Sequence, residues 1–171
     1  MQLLVIRHGR AEDREAFATA GRPDAQRPLT PKGIRRMKKA ARGLRLLTPH
    51  IDLLASSRLT RAAETAQIVA DAYGGMERKE RGELAPGASA EQLINWLADQ
   101  ANENTVCIVG HEPDLSGLLD MLLAAESKRP RKLKKGSATL VQFGAEVARS
   151  AGTVKWHRTA RELASADFAA E

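Results

Sequence analysis

The sequence predicts a three-layer α/β/α sandwich on a mostly parallel central sheet. Three observations carry this. Short apolar runs alternate with amphipathic stretches along the chain, the pattern of strands alternating with helices. The run at 3–6 shows no period-2 alternation, as expected of a strand buried on both faces, and 51–55 and 105–109 read as a second buried strand and another apolar one. The resulting order βα, βα, (β)α, βα, ββ needs helical crossovers between parallel neighbours and leaves antiparallel strands only late in the chain.

Each element has a local reason. The first strand, 3–6, is followed by a polar stretch at 10–29, rich in charge and containing Gly21, Pro23 and Pro28, which reads as a loop. Thr30-Pro31 supplies an N-cap and a proline at the first helical position, and Ile34, Met37, Ala41, Leu44 and Leu47 follow at helical spacing up to Pro49. After the strand at 51–55, Ser57 is placed to cap a helix carrying Ala62, Ala63, Ala66, Ile68, Val69 and Ala72, ended by Gly74-Gly75. A short strand is expected near 76–81, then a helix capped by Ser89 with Leu93, Ile94 and Leu97 inside. The strand at 105–109 leads, after Glu112-Pro113, into a helix running to about Ala125. A basic loop at 126–136 precedes strands at 138–143 and 153–157. The chain reads as one domain over 1–171, with 160–171 as a tail that frays from about Ala164.

Composition narrows the function classes. Hydrophobic residues make up 43% and charged residues 28%, which excludes disorder and low complexity. No apolar run reaches the roughly 20 residues that cross a bilayer, and the N-terminus becomes charged too soon for a signal peptide. The single cysteine, Cys107, excludes an internal disulfide and a cysteine-based zinc cage. A cytoplasmic, metal-independent protein without membrane attachment is expected, its oligomeric state left open. With 27 Lys+Arg against 21 Asp+Glu, the net charge of +6 favours anionic partners.

Ligands of open α/β sheets bind beyond the carboxyl ends of the strands, so strand ends hold the candidates. His8, in Arg7-His8-Gly9, follows the first strand, and His111, in Gly110-His111, follows the fourth. In a parallel sheet both imidazoles emerge at one edge. The second strand ends in Ser56-Ser57-Arg58-Leu59-Thr60-Arg61, placing Ser57, Arg58 and Arg61 at a helix N-terminus on the same edge. Arg27 is able to fold over from the loop. So positive a cluster, so poor in carboxylates, does not suit Mg²⁺ or Ca²⁺. It suits a dianionic phosphoryl group, held by guanidinium forks and attacked by a neutral histidine.

Arg7-His8-Gly9, Ser57-x-x-x-Arg61-Ala62-x-x-Thr65 and Gly110-His111, in that order, resemble the histidine phosphatase superfamily, whose fold is phosphoglycerate-mutase-like. The short chain, Arg27-Pro28-Leu29-Thr30-x-x-Gly33 and Gly110-His111-Glu112-Pro113 are most similar to its small SixA-type phosphohistidine phosphatases. The resemblance spans roughly residues 2–157 and implies hydrolysis of phosphohistidine on a protein without metal or organic cofactor. It makes His8 the transiently phosphorylated nucleophile, with Arg7, Arg61 and His111 on the phosphoryl oxygens and Ser57, Arg58 and Arg27 as supplementary contacts. Larger members protonate the leaving alcohol with a carboxylic acid; the candidates here are Glu83 and Glu112. A small-molecule phosphomonoesterase and a non-catalytic phosphoprotein-binding module are the alternatives.

Two basic stretches stand apart from these motifs. Residues 27–47 belong to a segment without any acidic residue between Asp24 and Asp52, and 128–135 hold six basic side chains in eight positions. They read either as solvated faces or as a surface that docks an acidic phosphoprotein or steers phosphate substrates. Neither interleaves aromatics, so no nucleic-acid partner is expected. His50, His157, Trp96, Trp156 and Cys107 read as structural.

Overall fold

The computed structural model describes residues 1–128, 130, 132–144 and 146–165. The strands β1 (Gln2–Arg7), β2 (Leu53–Ser56), β3 (Arg78–Glu80), β4 (Thr105–Gly110), β5 (Ala138–Phe143) and β6 (Gly152–Arg158) form one sheet in the order β3-β2-β4-β1-β5-β6. β1, β4, β2 and β3 run parallel, while β5 is antiparallel to β1 and β6 to β5. Register fixes the site. Arg7 lies opposite Gly110 across the β1–β4 ladder, so His8 and His111, each the next residue, leave the sheet side by side.

Alternation along the central strands divides the core in two. Leu3, Val5, Val106 and Ile108 pack against α4 (Ala90–Ala98) and α5 (Asp114–Leu122) on one face. Leu4, Ile6, Cys107 and Val109 face α2 (Pro31–Leu47), α3 (Thr60–Ala72) and α6 (Ala160–Ala164) on the other. Thr30 caps α2 through a bond from the Gly33 N–H to its Oγ1 (2.9 Å). Glycine is required at Gly33, since a Cβ there would lie 2.1 Å from the Arg10 carbonyl oxygen. At Gly43 a Cβ would lie 1.8 Å from the Leu163 carbonyl oxygen, so α6 packs directly on the α2 backbone.

The sequence reading needs correction in four places. Residues 10–29 hold a helix, α1 (Arg14–Thr19), and a 3₁₀ turn at Asp24–Gln26 rather than an irregular loop; Asp13 caps α1 by accepting from the Ala16 N–H. Ser57 does not cap α3. That helix begins at Thr60 after Leu59, and the Ser57 Oγ instead accepts from the Leu59 N–H. α5 stops at Leu122, because Leu123 is extended and bridges Gly152, the first residue of β6. Residues 160–164 are helical, held by a capping box between Thr159 and Glu162 and by buried Ala160 and Leu163. The expected fraying beyond them falls on 166–171, outside the described residues.

Candidate active site

The loop after β1 is pinned from three sides. The His8 N–H donates to the Gly110 carbonyl (3.1 Å), and the Gly136 N–H reaches the carbonyls of Arg7 and His8 (3.0 and 3.1 Å). The Gly9 N–H donates to Thr65 Oγ1 (3.0 Å), whose hydroxyl donates to the Arg61 carbonyl (2.6 Å), joining this loop to the first turns of α3. The His8 Nδ1 lies 2.7 Å from the Gly9 carbonyl oxygen. A carbonyl only accepts, so Nδ1 carries the hydrogen and Nε2 keeps its lone pair.

Both imidazoles are neutral at pH 7. Burial, aided by His111, Arg61 and Arg7, pushes His8 down to about 3, against the opposing Gly9 bond. Burial, then chiefly Arg61, pushes His111 down to about 4, with Asp24 opposing. Their ring centroids are 5.1 Å apart, tilted by 52°. Two histidines that resist protonation when folded but accept protons near pH 6.5 when unfolded make stability rise with pH across the interval between those values. Melting temperature is therefore expected to fall as pH drops from 6.5 towards 4. His111→Gln, which removes one titrating group, should give a shallower decline in the same calorimetric series; an unchanged slope would refute the assignment.

Around the histidines stands a set of guanidiniums arranged by Asp24. Arg61 donates through Nη1 to the Asp24 carbonyl (2.9 Å) and through Nη2 to its carboxylate (3.1 Å). Arg27 donates through Nε to the same carboxylate (2.8 Å) and through Nη1 to the Glu12 carbonyl (2.8 Å), while Arg14 approaches at 3.5 Å. Burial opposes ionisation of Asp24, but Arg27, Arg61 and Arg14 together hold it below the usual carboxylate range. Arg7 is anchored through Nη1 to the Leu133 carbonyl (2.7 Å). Burial lowers the Arg7 and Arg61 values, countered by Glu112 and Asp24 respectively. The Nε atoms of Arg7 and Arg61 and both ring nitrogens of His111 are buried with no protein partner among the described residues. These groups line a cleft of about 430 Å³. Lys135 joins them, its ammonium pKa lowered by burial and by Arg7, Arg27, Arg10 and Arg61. Such a pocket matches a small polyanion presented to a nucleophilic nitrogen.

The structure brings Arg7, His8, Arg27, Arg61, His111 and Glu112 to this cleft and leaves three candidates outside its lining. Arg58 is exposed, with no ion pair or hydrogen bond from its side chain among the described residues. Ser57 is buried and serves the turn before α3. Glu83 pairs with Arg81 (2.5 Å), whose guanidinium also stacks over Trp96. Glu112 accepts from Ser116 Oγ (2.8 Å) and the Leu133 N–H (3.3 Å), which ties it to structural partners. Sequence reasoning missed Asp24, Glu12 and Lys135. The signal for the first two was their place in the charged 10–29 segment, close to Arg27; Lys135 lay inside the basic loop, whose position only the fold reveals. Among the described residues, no three His, Cys, Asp or Glu side chains gather as a metal site, and no helix is long and apolar enough to cross a membrane.

A model of the histidine phosphatase superfamily (branch 1) matches residues 3–85, the stretch bearing Arg7-His8-Gly9, Arg27 and Arg61. A protein of Picosynechococcus sp., itself uncharacterized, is 34% identical over 147 residues, covering 85% of this chain and 87% of its own. The chain belongs to the histidine phosphatase superfamily. An uncharacterized Mycobacterium tuberculosis protein is 35% identical over 133 residues, covering 77% of this histidine phosphatase and 82% of its own length. Solved structures share the fold. The protein histidine phosphatase SixA complexed with tungstate superposes with a TM-score of 0.81 at 23% identity, over 95% of this chain and 99% of that one. Phosphoglycerate mutase from Bacillus anthracis gives 0.71 at 19% identity, over 97% and 96%. This histidine phosphatase thus has the phosphoglycerate-mutase-like fold.

Proposed function

We propose that the protein hydrolyses phosphohistidine on a protein substrate through a covalent phosphoryl intermediate on His8. The observation that carries this is the neutral His8 imidazole, its Nδ1 committed to the Gly9 carbonyl and its Nε2 free in a cleft lined by Arg7, Arg61 and His111. Nε2 attacks phosphorus in line as the P–N bond to the substrate imidazole breaks. That bond's electron pair returns to the leaving nitrogen, which takes a proton from solvent and departs neutral, a proton given back to solvent when water attacks in the second step. The guanidiniums and a neutral N–H of His111 hold the equatorial oxygens as charge moves across them. Water then attacks the phosphoryl group on His8, phosphate leaves, and Nε2 recovers its lone pair. The SixA likeness supports the N–P substrate, as do carboxylates already committed elsewhere: Asp24 to arginines and Glu112 to Ser116 and Leu133. An imidazole leaves with less help from a dedicated acid than an alkoxide does.

One observation favours a second reading, a phosphomonoesterase. Glu12 lines the cleft, and its carboxylate makes no hydrogen bond or ion pair among the described residues, so it is free to protonate a leaving alcohol. Glu12→Gln separates the two. On the phosphohistidine reading, the wild type prefers a phosphohistidine peptide to a sugar phosphate by about tenfold or more in kcat/KM. The variant then keeps the peptide activity within about twofold while losing about 10²-fold on the monoester. Preference for the sugar phosphate, with peptide and monoester rates falling together in the variant, would favour the monoesterase.

A further inference from the structure

Two more grooves adjoin the cleft. One, of about 400 Å³, is lined by Arg10, Arg36, Lys132, Lys134 and Lys135, and shares Arg7, Arg10 and Lys135 with the cleft. The next, of about 630 Å³, is lined by Lys32, Arg35, Arg36, Lys39 and, from α6, Arg161, and shares Arg36 with the first. The three concavities are therefore contiguous, leading from His8 across the N-terminal half of α2 to α6. Among the described residues, neither groove is lined by a carboxylate and none of their cations outside the cleft is ion-paired. Lys32 and Arg36, and Arg35 and Lys39, stand four residues apart on α2, where like charges repel. Folding gains nothing from that arrangement; an anionic partner relieves it.

We propose that this contiguous basic track docks an acidic segment flanking the phosphorylated residue of a protein substrate. The proposal rests on the protein-phosphatase reading above and adds the character of the substrate's flank. Single-stranded nucleic acid is disfavoured because, among the described residues, neither groove is lined by an aromatic side chain on which bases would stack. A lipid surface is disfavoured because the large exposed apolar side chain of the described residues, Leu46, lines neither groove. The α2 part alone, Lys32 to Lys39, extends about 10 Å, room for about three extended residues.

The test compares four peptides of equal length: phosphohistidine or phosphoserine, flanked on both sides by six glutamates or by six serines. The full chain is assayed beside a Lys32→Gln/Arg35→Gln/Lys39→Gln/Arg161→Gln variant. The wild type should prefer the glutamate flank by about tenfold in kcat/KM at low salt, the preference fading as salt rises. The variant should lose that preference yet match the wild type on phosphoramidate. If only phosphoserine peptides are cleaved, the phosphohistidine reading fails while the flank comparison still reads the track. Equal rates on both flanks in the wild type, or a preference that survives in the variant, overturns the track. So does tighter competition by an oligothymidylate than by a polyglutamate.

Discussion

His8→Ala lowers kcat by at least about 10⁴-fold on every phosphorylated substrate, because His8 alone has its Nδ1 committed to a carbonyl with the Nε2 lone pair left for phosphorus, while the other neutral imidazole, His111, is assigned to the phosphoryl oxygens. The fold should survive. His8 is held by its backbone bonds to Gly110 and Gly136, which alanine retains, and among the described residues its ring makes one hydrogen bond, a local one to Gly9. Far-ultraviolet circular dichroism and melting therefore stay near wild type while turnover disappears. Binding of an unreactive phosphate analogue persists, since Arg7, Arg61 and His111 remain. A variant retaining a tenth of the wild-type rate would exclude His8 as the nucleophile.

Arg61→Ala carries the second large effect, a loss of about 10²–10³-fold in kcat, the scale of removing one preorganised donor from a developing oxyanion. Here a structural consequence must be separated from the chemical one. Arg61 also holds Asp24, but Arg27 bonds the same carboxylate at 2.8 Å, so the 24–27 turn keeps an anchor. Asp24→Asn is the control. It removes the charge opposing the phosphoryl group, so it should tighten inhibition by inorganic phosphate severalfold while disturbing Arg61 and Arg27. Loss of kcat in Arg61→Ala with little change in melting identifies an interaction made in the transition state. Loss of melting and activity together in both variants would identify only a structural clasp.

The parts of the site legible in the sequence were those set by strand ends. Leu3-Leu4-Val5-Ile6 and the run at 105–109 are apolar on both faces, which makes them central and parallel, and parallel strands bring the following residues to one edge. His8 and His111 meet for that reason alone. Arg61 followed from its place in the first turn after β2. What escaped were contacts made by polar side chains from segments without hydrophobic periodicity. α1 buries Phe17 alone, so its pattern carries little signal, and Asp13 as its cap is the sole local cue. Asp24 gathers Arg14, Arg27 and Arg61 from three elements, a tertiary arrangement with no local spacing. The helix α6 was legible and overlooked: Thr159-x-x-Glu162 before Leu163 is a capping box. Glu83 and Arg58 illustrate the opposite error. Each follows a strand, yet Glu83 is drawn to Arg81 and Arg58 points from the turn to solvent.

In the proposed reaction, phosphorus passes through a nitrogen of His8. Rapid-quench labelling of the wild type with a ³²P-phosphohistidine peptide, followed by alkaline digestion and mass spectrometry, tests it most directly. The expected result is one acid-labile, alkali-stable phosphoryl group on the peptide containing Arg7-His8-Gly9, appearing and decaying within a turnover and missing from His8→Ala. Full turnover with no label at His8, or with the label on a serine or carboxylate, would contradict it.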